Sequence, residues 1–221
     1  MTCGETARRY GVFAAGALVC ATGIAFITRA GLGTSPISSI PFVLSLFTPL
    51  SMGVYTFAFN LLFLLCEALL RRRFTLAQAL QIPATLLFSA CIDGALAMIP
   101  TRYGAPWAAS AVYLGIGCLV MAPGISLEVA ADVIMLPGEA FVRALSQRLG
   151  RKFGNVKVCF DTGLAAAAAV LALIVFGRLN GIREGTLIAA LAVGQLVKRF
   201  TPALKGLRRW MEGAADATAP Q

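Results

Sequence analysis

The chain has 221 residues, of which 58% are hydrophobic and 13% are charged, and its mean hydropathy is +0.81. A soluble domain is closer to half apolar and a quarter charged, so this composition excludes an ordinary soluble domain and predicts a polytopic membrane protein. The net charge is +9, and the basic residues cluster at the ends of apolar runs. That distribution is typical of topology signals and of contacts with membrane lipids, and no aromatic–basic motif indicates a nucleic acid partner.

The residues that most often carry catalysis or bind metals are sparse. Histidine is absent, and the six cysteines are scattered singly without a CxxC pair. We therefore expect neither a disulfide framework nor a metal site, and the commonest general base is missing. No Walker sequence or Ser–His arrangement occurs. The chain is expected to have no cofactor and no catalytic residue, and not to be an enzyme.

Six apolar runs approach or exceed the roughly 20 residues that cross a bilayer. In chain order they are Tyr10–Thr28, Met52–Leu70, Leu76–Ile99, Trp107–Val129, Val156–Phe176 and Gly181–Val197. The last is the weakest, because two charged residues lie near its start. Residues 201–221 are expected to form a C-terminal tail that ends in the small and polar stretch "GAADATAPQ".

Basic residues are distributed unevenly between the two sides of these spans. If the N-terminus is inside, the outer segments hold only Arg29, Arg102, Arg178 and Arg183, and Lys157 lies at the inner mouth of the fifth span. The other basic residues are then cytoplasmic: Arg8, Arg9, Arg71, Arg72, Arg73, Arg143, Arg148, Arg151, Lys152, Lys198, Arg199, Lys205, Arg208 and Arg209. This bias predicts that both termini are cytoplasmic.

The chain matches itself at an offset of 101 residues. Between residues 23–60 and 124–161, eight of 38 aligned pairs are identical, including the pairs Gly23–Gly124 and Pro36–Pro137. Each copy contains three spans, an odd number, so the second copy must enter the membrane from the opposite side. We predict an all-α membrane bundle of six helices, built as two inverted three-span repeats (residues 1–100 and 101–200), as in inverted-repeat transporters.

Each predicted repeat has a broken segment after its first span. In the first, "AGLGTSPISSIPFVLS", Pro36 fits the first turn of a short helix, while Pro41 is expected to strain it. Thr34, Ser35 and Ser38 offer hydroxyl groups to a solute. The alternative is an outer loop with a helix lying at the membrane interface. The second segment starts a helix at Pro137, whose later part is expected to be amphipathic and to lie at the cytoplasmic surface.

Acidic residues near the second break form the main candidate site for a solute or an ion. Glu128, Asp132 and Glu139 surround Pro137, and carboxylates within membrane spans are costly enough to indicate function. Low-dielectric surroundings favour proton uptake by such groups, so coupling to protons or cations is compatible with this site. We expect the two breaks and Asp161 to border one enclosed polar cavity.

Two further acids have equally good structural interpretations. Asp93 lies alone and deep in the third span, and Asp161 lies one turn from Lys157 and matches Asn60 in the repeat. Each of these polar residues can bind a solute or form a structural contact. Candidates for structural or gating ion pairs are Arg29, Lys157, Arg183 and Glu184.

Four ordered motifs resemble the YczE/YyaS/YitT-type family of bacterial integral membrane proteins. They are "ITRAGLGTSPISSIPFVLS", "VIMLPGEAFVRALS", "KFGNVKVCFD" and "GIREGTLIAALAVG". The resemblance covers about residues 8–200 and implies a multi-pass protein of the bacterial cell membrane, without implying a substrate. The polar residues carried by the motifs are Thr34, Ser35, Glu139, Asp161, Arg183 and Glu184. Gly31 departs from the resemblance, since an acidic residue is expected there.

Two functions compete on this evidence. The first is a small secondary transporter of a polar solute or ion, which the repeat, the paired breaks and the acids favour. The second is a non-transporting scaffold or accessory protein that uses the amphipathic helix as a docking face. Either function is compatible with a homo-oligomer.

Overall fold

The computed structural model describes residues 3–101 and 106–212 of the chain, and the regular structure of these residues is helical throughout. A 3₁₀ turn at Pro36–Ser38 precedes the second helix. The helices are α1 (Cys3–Arg29), α2 (Ser39–Ser45), α3 (Met52–Arg71), α4 (Leu76–Met98), α5 (Trp107–Ala131), α6 (Pro137–Arg148), α7 (Phe153–Phe176), α8 (Glu184–Ala203) and α9 (Lys205–Glu212).

Among the described residues, five helices are long and apolar enough to cross a membrane: α1, α3, α4, α5 and α7. Helix α8 meets the same criterion only together with α9, and the pair is bent by 55°. All six predicted spans therefore coincide with helices. The weakest predicted span, Gly181–Val197, falls on α8, which does not meet the criterion alone. Helices α8 and α9 also include residues 201–203 and 205–212 of the predicted tail, whereas its final stretch, residues 213–221, lies outside the described residues.

Helices α1 and α5 cross closely at the centre of the bundle, where glycines bring their backbones together. A Cβ atom at Gly16 would lie 3.0 Å from the carbonyl oxygen of Gly124, and one at Gly117 would lie 2.9 Å from that of Gly23. The early part of one helix thus meets the late part of the other, so the two helices run antiparallel. Small residues permit such close approach between membrane helices. Gly16 matches Gly117 and Gly23 matches Gly124 at the offset of 101, so the glycines at this crossing occupy matched positions of the two halves.

Most of the remaining helix contacts within the two halves also occur in matched pairs. Helix α1 packs against α4, and the corresponding helices α5 and α8 also pack together. Helix α3 packs against α6, and α7 likewise packs against the 3₁₀ turn and α2. Within each half, the short helix contacts the helix that follows it. The element starts repeat as well, since Pro36 and Pro137 begin the two short segments, and Met52 and Phe153 begin the helices after them. The order of the elements and most of their contacts thus correspond between the two halves.

One contact breaks this correspondence. Helix α3 packs against α4, whereas the corresponding helices α7 and α8 make no comparable contact within the described part of the chain. Helix α7 is consequently the least buried of the five long apolar helices, and side chains such as Ile174 and Val158 are exposed. The apolar core instead lies around α1, where Ala17, Ala21 and Ile27 are fully buried.

The short helices differ from two details of the sequence prediction. Pro41 does not strain α2, because the 3₁₀ turn ends at Ser38 and Pro41 falls in the first turn of α2. A missing N–H costs nothing there, since first-turn amides have no partner within the helix. Helix α6 does expose its predicted polar residues Arg143 and Arg148, but Val142 on the other side is buried against protein rather than directed to lipid.

A candidate binding site at the break between α5 and α6

A cavity of about 280 Å³ lies where the chain leaves α5 and enters α6. Its polar lining consists of Glu128, Asp132, Glu139 and Arg143, and its apolar lining includes residues 133–136. Three carboxylates therefore share the cavity with a single guanidinium group, and none of them forms an ion pair with Arg143 within the described residues. The arrangement suits a cationic guest better than an anionic one.

The backbone at Asp132 produces the break. This residue ends α5 in the left-handed conformation, with φ 49° and ψ 41°, and its N–H donates to the carbonyl oxygen of Glu128 at 3.4 Å. The chain stays non-helical until Pro137 begins α6. Gly31, the matching residue of the first half, has φ 72°. The expected acid is absent at a position where glycine adopts the required backbone without steric cost.

Glu128 is the innermost acid of the cavity. Its Oε1 atom is buried and has no hydrogen-bond partner in the part of the chain that the structure describes. The backbone of this residue packs on α1, where a Cβ atom at Gly16 would lie 3.0 Å from the Glu128 nitrogen. A buried carboxylate oxygen without a partner is costly, so a cation, a proton or water at this point would stabilise the site.

The first break does not open into this cavity, because its hydroxyl groups bond to one another and to backbone. The Thr28 and Thr34 hydroxyls lie 2.8 Å apart, and the Ser35 hydroxyl donates to that of Ser38 at 2.9 Å. The Thr34 N–H donates to the Thr186 hydroxyl at 3.2 Å. All five residues are buried, so the first break is packed closed.

The start of α8 closes the other side of the first break. The Gly185 N–H donates to the carbonyl oxygen of Leu32 at 2.9 Å, and a Cβ atom at Gly33 would meet the Thr186 hydroxyl oxygen. Gly33 has φ 124°, which a residue with a side chain rarely adopts. Thr186 was not among the predicted site residues, although its match with Thr85 in the repeat is a sequence signal that could have singled it out.

Asp93 caps a helix. Its Oδ1 atom accepts a hydrogen bond from the Gly53 N–H at 2.7 Å, and its Oδ2 atom accepts one from the Ser51 hydroxyl. Ser51 is itself the N-cap of α3 and accepts from the Val54 N–H at 3.1 Å. A carboxylate at a helix N-terminus is stabilised by the unpaired N–H groups and the dipole there. Asp93 thus joins α4 to α3, in the contact that the second half lacks.

The remaining polar candidates have partners away from the cavity. Lys157 and Asp161 form an i,i+4 ion pair at 3.0 Å on α7. Asn60 is buried on α3 and donates to the carbonyl oxygen of Thr56 at 3.0 Å. Neither Asp161 nor the first break lines the acidic cavity, so the structure does not bring together the single polar cavity expected from the sequence.

The four candidates for ion pairs fall into three arrangements. Lys157 pairs with Asp161, as described. Arg29 donates to the carbonyl oxygen of Leu96 and to the Thr101 hydroxyl, which holds the end of α1 on the end of α4. Arg183 and Glu184 are neighbours that form an exposed pair at 3.3 Å.

Arg143 is the cavity residue that sequence reasoning missed, since it was assigned only to the polar face of α6. It follows Glu139 by four residues, which places both on one side of the helix.

Within the described residues, no three His, Cys, Asp or Glu side chains are grouped closely enough to hold a metal ion. Glu128, Asp132 and Glu139 therefore line the cavity without forming such a group.

The helices and their apolar surfaces fit a multi-pass membrane protein. The sequence model of the "Family of unknown function (DUF6198)" matches residues 7–202, and the chain belongs to this family. Neither a curated protein nor a solved structure matches the chain.

Proposed function

We propose that the protein is a small secondary transporter of a cation or cationic solute, with its binding site in the cavity at Glu128, Asp132 and Glu139. The observation that carries the proposal is the buried Oε1 atom of Glu128, which faces no hydrogen-bond donor from the described residues. An intramembrane carboxylate of this kind indicates a solute or proton pathway. The absence of a catalytic arrangement in the sequence favours transport over enzymatic chemistry.

The internal pairing of helices supports an inverted-repeat transporter. The antiparallel crossing of α1 and α5 and the exchangeable helix contacts agree with a pseudo-twofold axis in the membrane plane. In such transporters one half rocks against the other around a fixed site. The acidic break is open here while the Ser/Thr break is packed closed, so we assign the structure to one of two alternating states.

The open state faces the cytoplasm if the basic residues set the topology. The acidic break then opens inward, both termini are cytoplasmic, and the protein resides in a bacterial inner membrane. We also propose, from the four motifs, that the chain is related to the YczE/YyaS/YitT-type proteins. The mate of Glu128 in the first half is Ile27, which is fully buried, so only the second break carries carboxylates.

The proposal can be tested with the purified protein and a panel of inorganic cations and organic amines. A guest that binds the native state raises the melting temperature in a saturable way. We expect Glu128→Gln to abolish this response, whereas Glu184→Gln, which changes an exposed acid, should retain it. Uptake of the same guest into proteoliposomes, driven by an ion gradient, would establish transport.

Other outcomes would count against the proposal. If no cation stabilises the protein and proteoliposomes show no uptake, the chain is not a cation transporter. Co-purification of a membrane partner without any such response would favour the scaffold function. If a guest stabilises Glu128→Gln as strongly as the wild-type protein, its binding site lies elsewhere.

A further inference from the structure

A second groove, of about 470 Å³, lies between the end of α6 and the start of α7, away from the acidic break. Its apolar surface is formed by Leu145 and Leu149 on α6 and by Val156 and Phe160 on α7, while Arg151 and Asn155 lie at its rim. No acidic residue lines it. The groove is therefore apolar along its length and cationic at one end.

The walls of the groove are held in place by local structure. Gly150 has φ 61°, and the N–H of Arg151 donates to the carbonyl oxygen of Ser146 at 3.1 Å, which ends α6 in a Schellman turn. On the opposite wall, the Phe160 ring packs edge-on against Phe63, with their ring centroids 5.4 Å apart. A preformed groove of this kind loses little entropy when it binds a guest.

The position of the groove matches that of a lipid. It begins where α7 starts, and α7 is long and apolar enough to cross a membrane, so the phosphate headgroups are expected near Arg151. Because an α-helix rises about 1.5 Å per residue, Phe160 lies about 8 Å further along α7 than Asn155. The cationic end thus faces the headgroup region, and the apolar part runs towards the hydrocarbon.

Charge decides between the candidate occupants. Arg148 and Lys152 flank the rim beside Arg151, and none of the three has an ion-pair partner within the described residues. A second copy of the chain docked symmetrically on this groove would bring the same cations together, which is unfavourable. An anionic lipid supplies the opposite charge and an apolar chain in one molecule.

We propose that the groove between α6 and α7 binds one anionic phospholipid, with its phosphate at Arg151 and an acyl chain along Leu149 and Phe160. This site is independent of the acidic cavity and of any transport through it. A lipid bound there would fasten α6, whose first turn carries Glu139 of the cavity, to the exposed helix α7.

The test is native mass spectrometry of the full chain, purified in neutral detergent and titrated with phosphatidylglycerol or with phosphatidylcholine of the same acyl chains. We expect one phosphatidylglycerol per protein, bound at least fivefold more tightly than phosphatidylcholine. Arg151→Gln should weaken binding about fivefold, the effect of one cation close to an anionic headgroup. Cys159→Trp, which fills the groove, should abolish binding, while Arg73→Gln, an exposed arginine just beyond α3, should leave it unchanged.

Several results would overturn the proposal. Equal affinity for the two lipids, or an equal loss in Arg73→Gln and Arg151→Gln, would show general attraction to the membrane surface. If inorganic phosphate displaces bound phosphatidylglycerol as effectively as a second phosphatidylglycerol does, the groove is an anion site and not a lipid site. If Cys159→Trp separates a dimer and leaves lipid binding intact, the groove is a contact between copies. If Cys159→Trp misfolds, Leu149→Ala and Arg151→Gln take its place, because both positions are exposed and these variants should fold. Unchanged lipid binding in both variants would overturn the proposal.

Discussion

Ile37 and Gly138, two residues 101 positions apart, meet where the two broken segments of the bundle approach each other. The Cδ1 atom of Ile37 occupies the space that a side chain at Gly138 would need, and the Phe63 ring lies 3.5 Å from the same point. The first break therefore rests on the first turn of α6, next to Glu139 of the acidic cavity. Equivalent positions of the two halves touch, and the lack of a side chain on one of them allows the contact.

Gly138→Val should destabilise the protein by about 1–3 kcal/mol, because it forces Ile37 out of its position in a packed site. Adding Ile37→Ala should recover a large part of that loss, since it vacates the space. Thermal unfolding of the two single variants and the double variant measures their coupling. Gly154→Val is the control, because the space around Gly154 on α7 is open. Additive effects of the Ile37 and Gly138 substitutions would contradict the contact.

The crossing of α1 and α5 makes a sharper prediction. A Cβ atom at Gly124 would collide with the backbone nitrogen of Cys20, which cannot move without shifting α1. Gly124→Ala should therefore cost about 3 kcal/mol or more and lower the yield of folded protein. Gly115→Ala on the same helix meets nothing within 4 Å and should be neutral or stabilising by up to about 1 kcal/mol. Equal melting temperatures for the two variants would refute the close crossing.

Asp93 is predicted to contribute to stability and not to solute binding. Asp93→Ala removes the acceptor for the Gly53 N–H and should cost about 1–2 kcal/mol, as for other N-cap losses. Asp161→Asn, which breaks the partly exposed ion pair with Lys157, should cost at most about 1 kcal/mol. Thermal unfolding ranks the two variants. Loss of the response to cations in a folded Asp93→Ala protein would instead assign Asp93 to the site.

Much of the fold was predictable from sequence, because membrane spans require long apolar runs and such runs can be identified directly in the sequence. The short segments at Pro36 and Pro137 were predictable too, since proline and glycine fix the backbone locally. The partners of polar side chains were harder to predict. Asp93 reaches α3 across the bundle and the Thr34 N–H bonds to Thr186, contacts set by packing between segments that are far apart in sequence.

The grouping of the three acidic residues was predictable, because residues that are close in sequence stay close in the fold. Glu128, Asp132 and Glu139 are close in sequence around one break, and they line one cavity. Asp161 and the hydroxyl groups of the first break were expected to join them, but local partners bind those groups instead: Lys157 for Asp161, and neighbouring hydroxyls for Thr34 and Ser35. Local hydrogen bonds satisfy Ser and Thr side chains readily, so hydroxyl groups in a sequence indicate a site less strongly than clustered carboxylates.

Asp132 offers a way to separate stability from binding. Its left-handed backbone is costly for a residue with a Cβ atom, and its negative charge lies at the C-terminus of α5, where the helix dipole disfavours it. Asp132→Gly, which installs the residue found at the matching position 31, should therefore raise the free energy of unfolding by about 1 kcal/mol. Thermal unfolding without any added guest measures this gain.

The same substitution should weaken the response to a cationic guest, because it removes one of the three carboxylates of the cavity. Asp132→Asn is the matched control, since asparagine tolerates the left-handed conformation and lacks the charge. If the site binds the guest through the charge of Asp132, both variants should lose affinity for the guest to a similar degree. Only the glycine variant should show the full gain in the free energy of unfolding. If Asp132→Asn keeps the wild-type affinity while Asp132→Gly loses it, the Asp132 side chain contributes to binding through its size and hydrogen bonds and not through its charge. A strained, destabilising acid that is needed for binding is the pattern expected of a functional site.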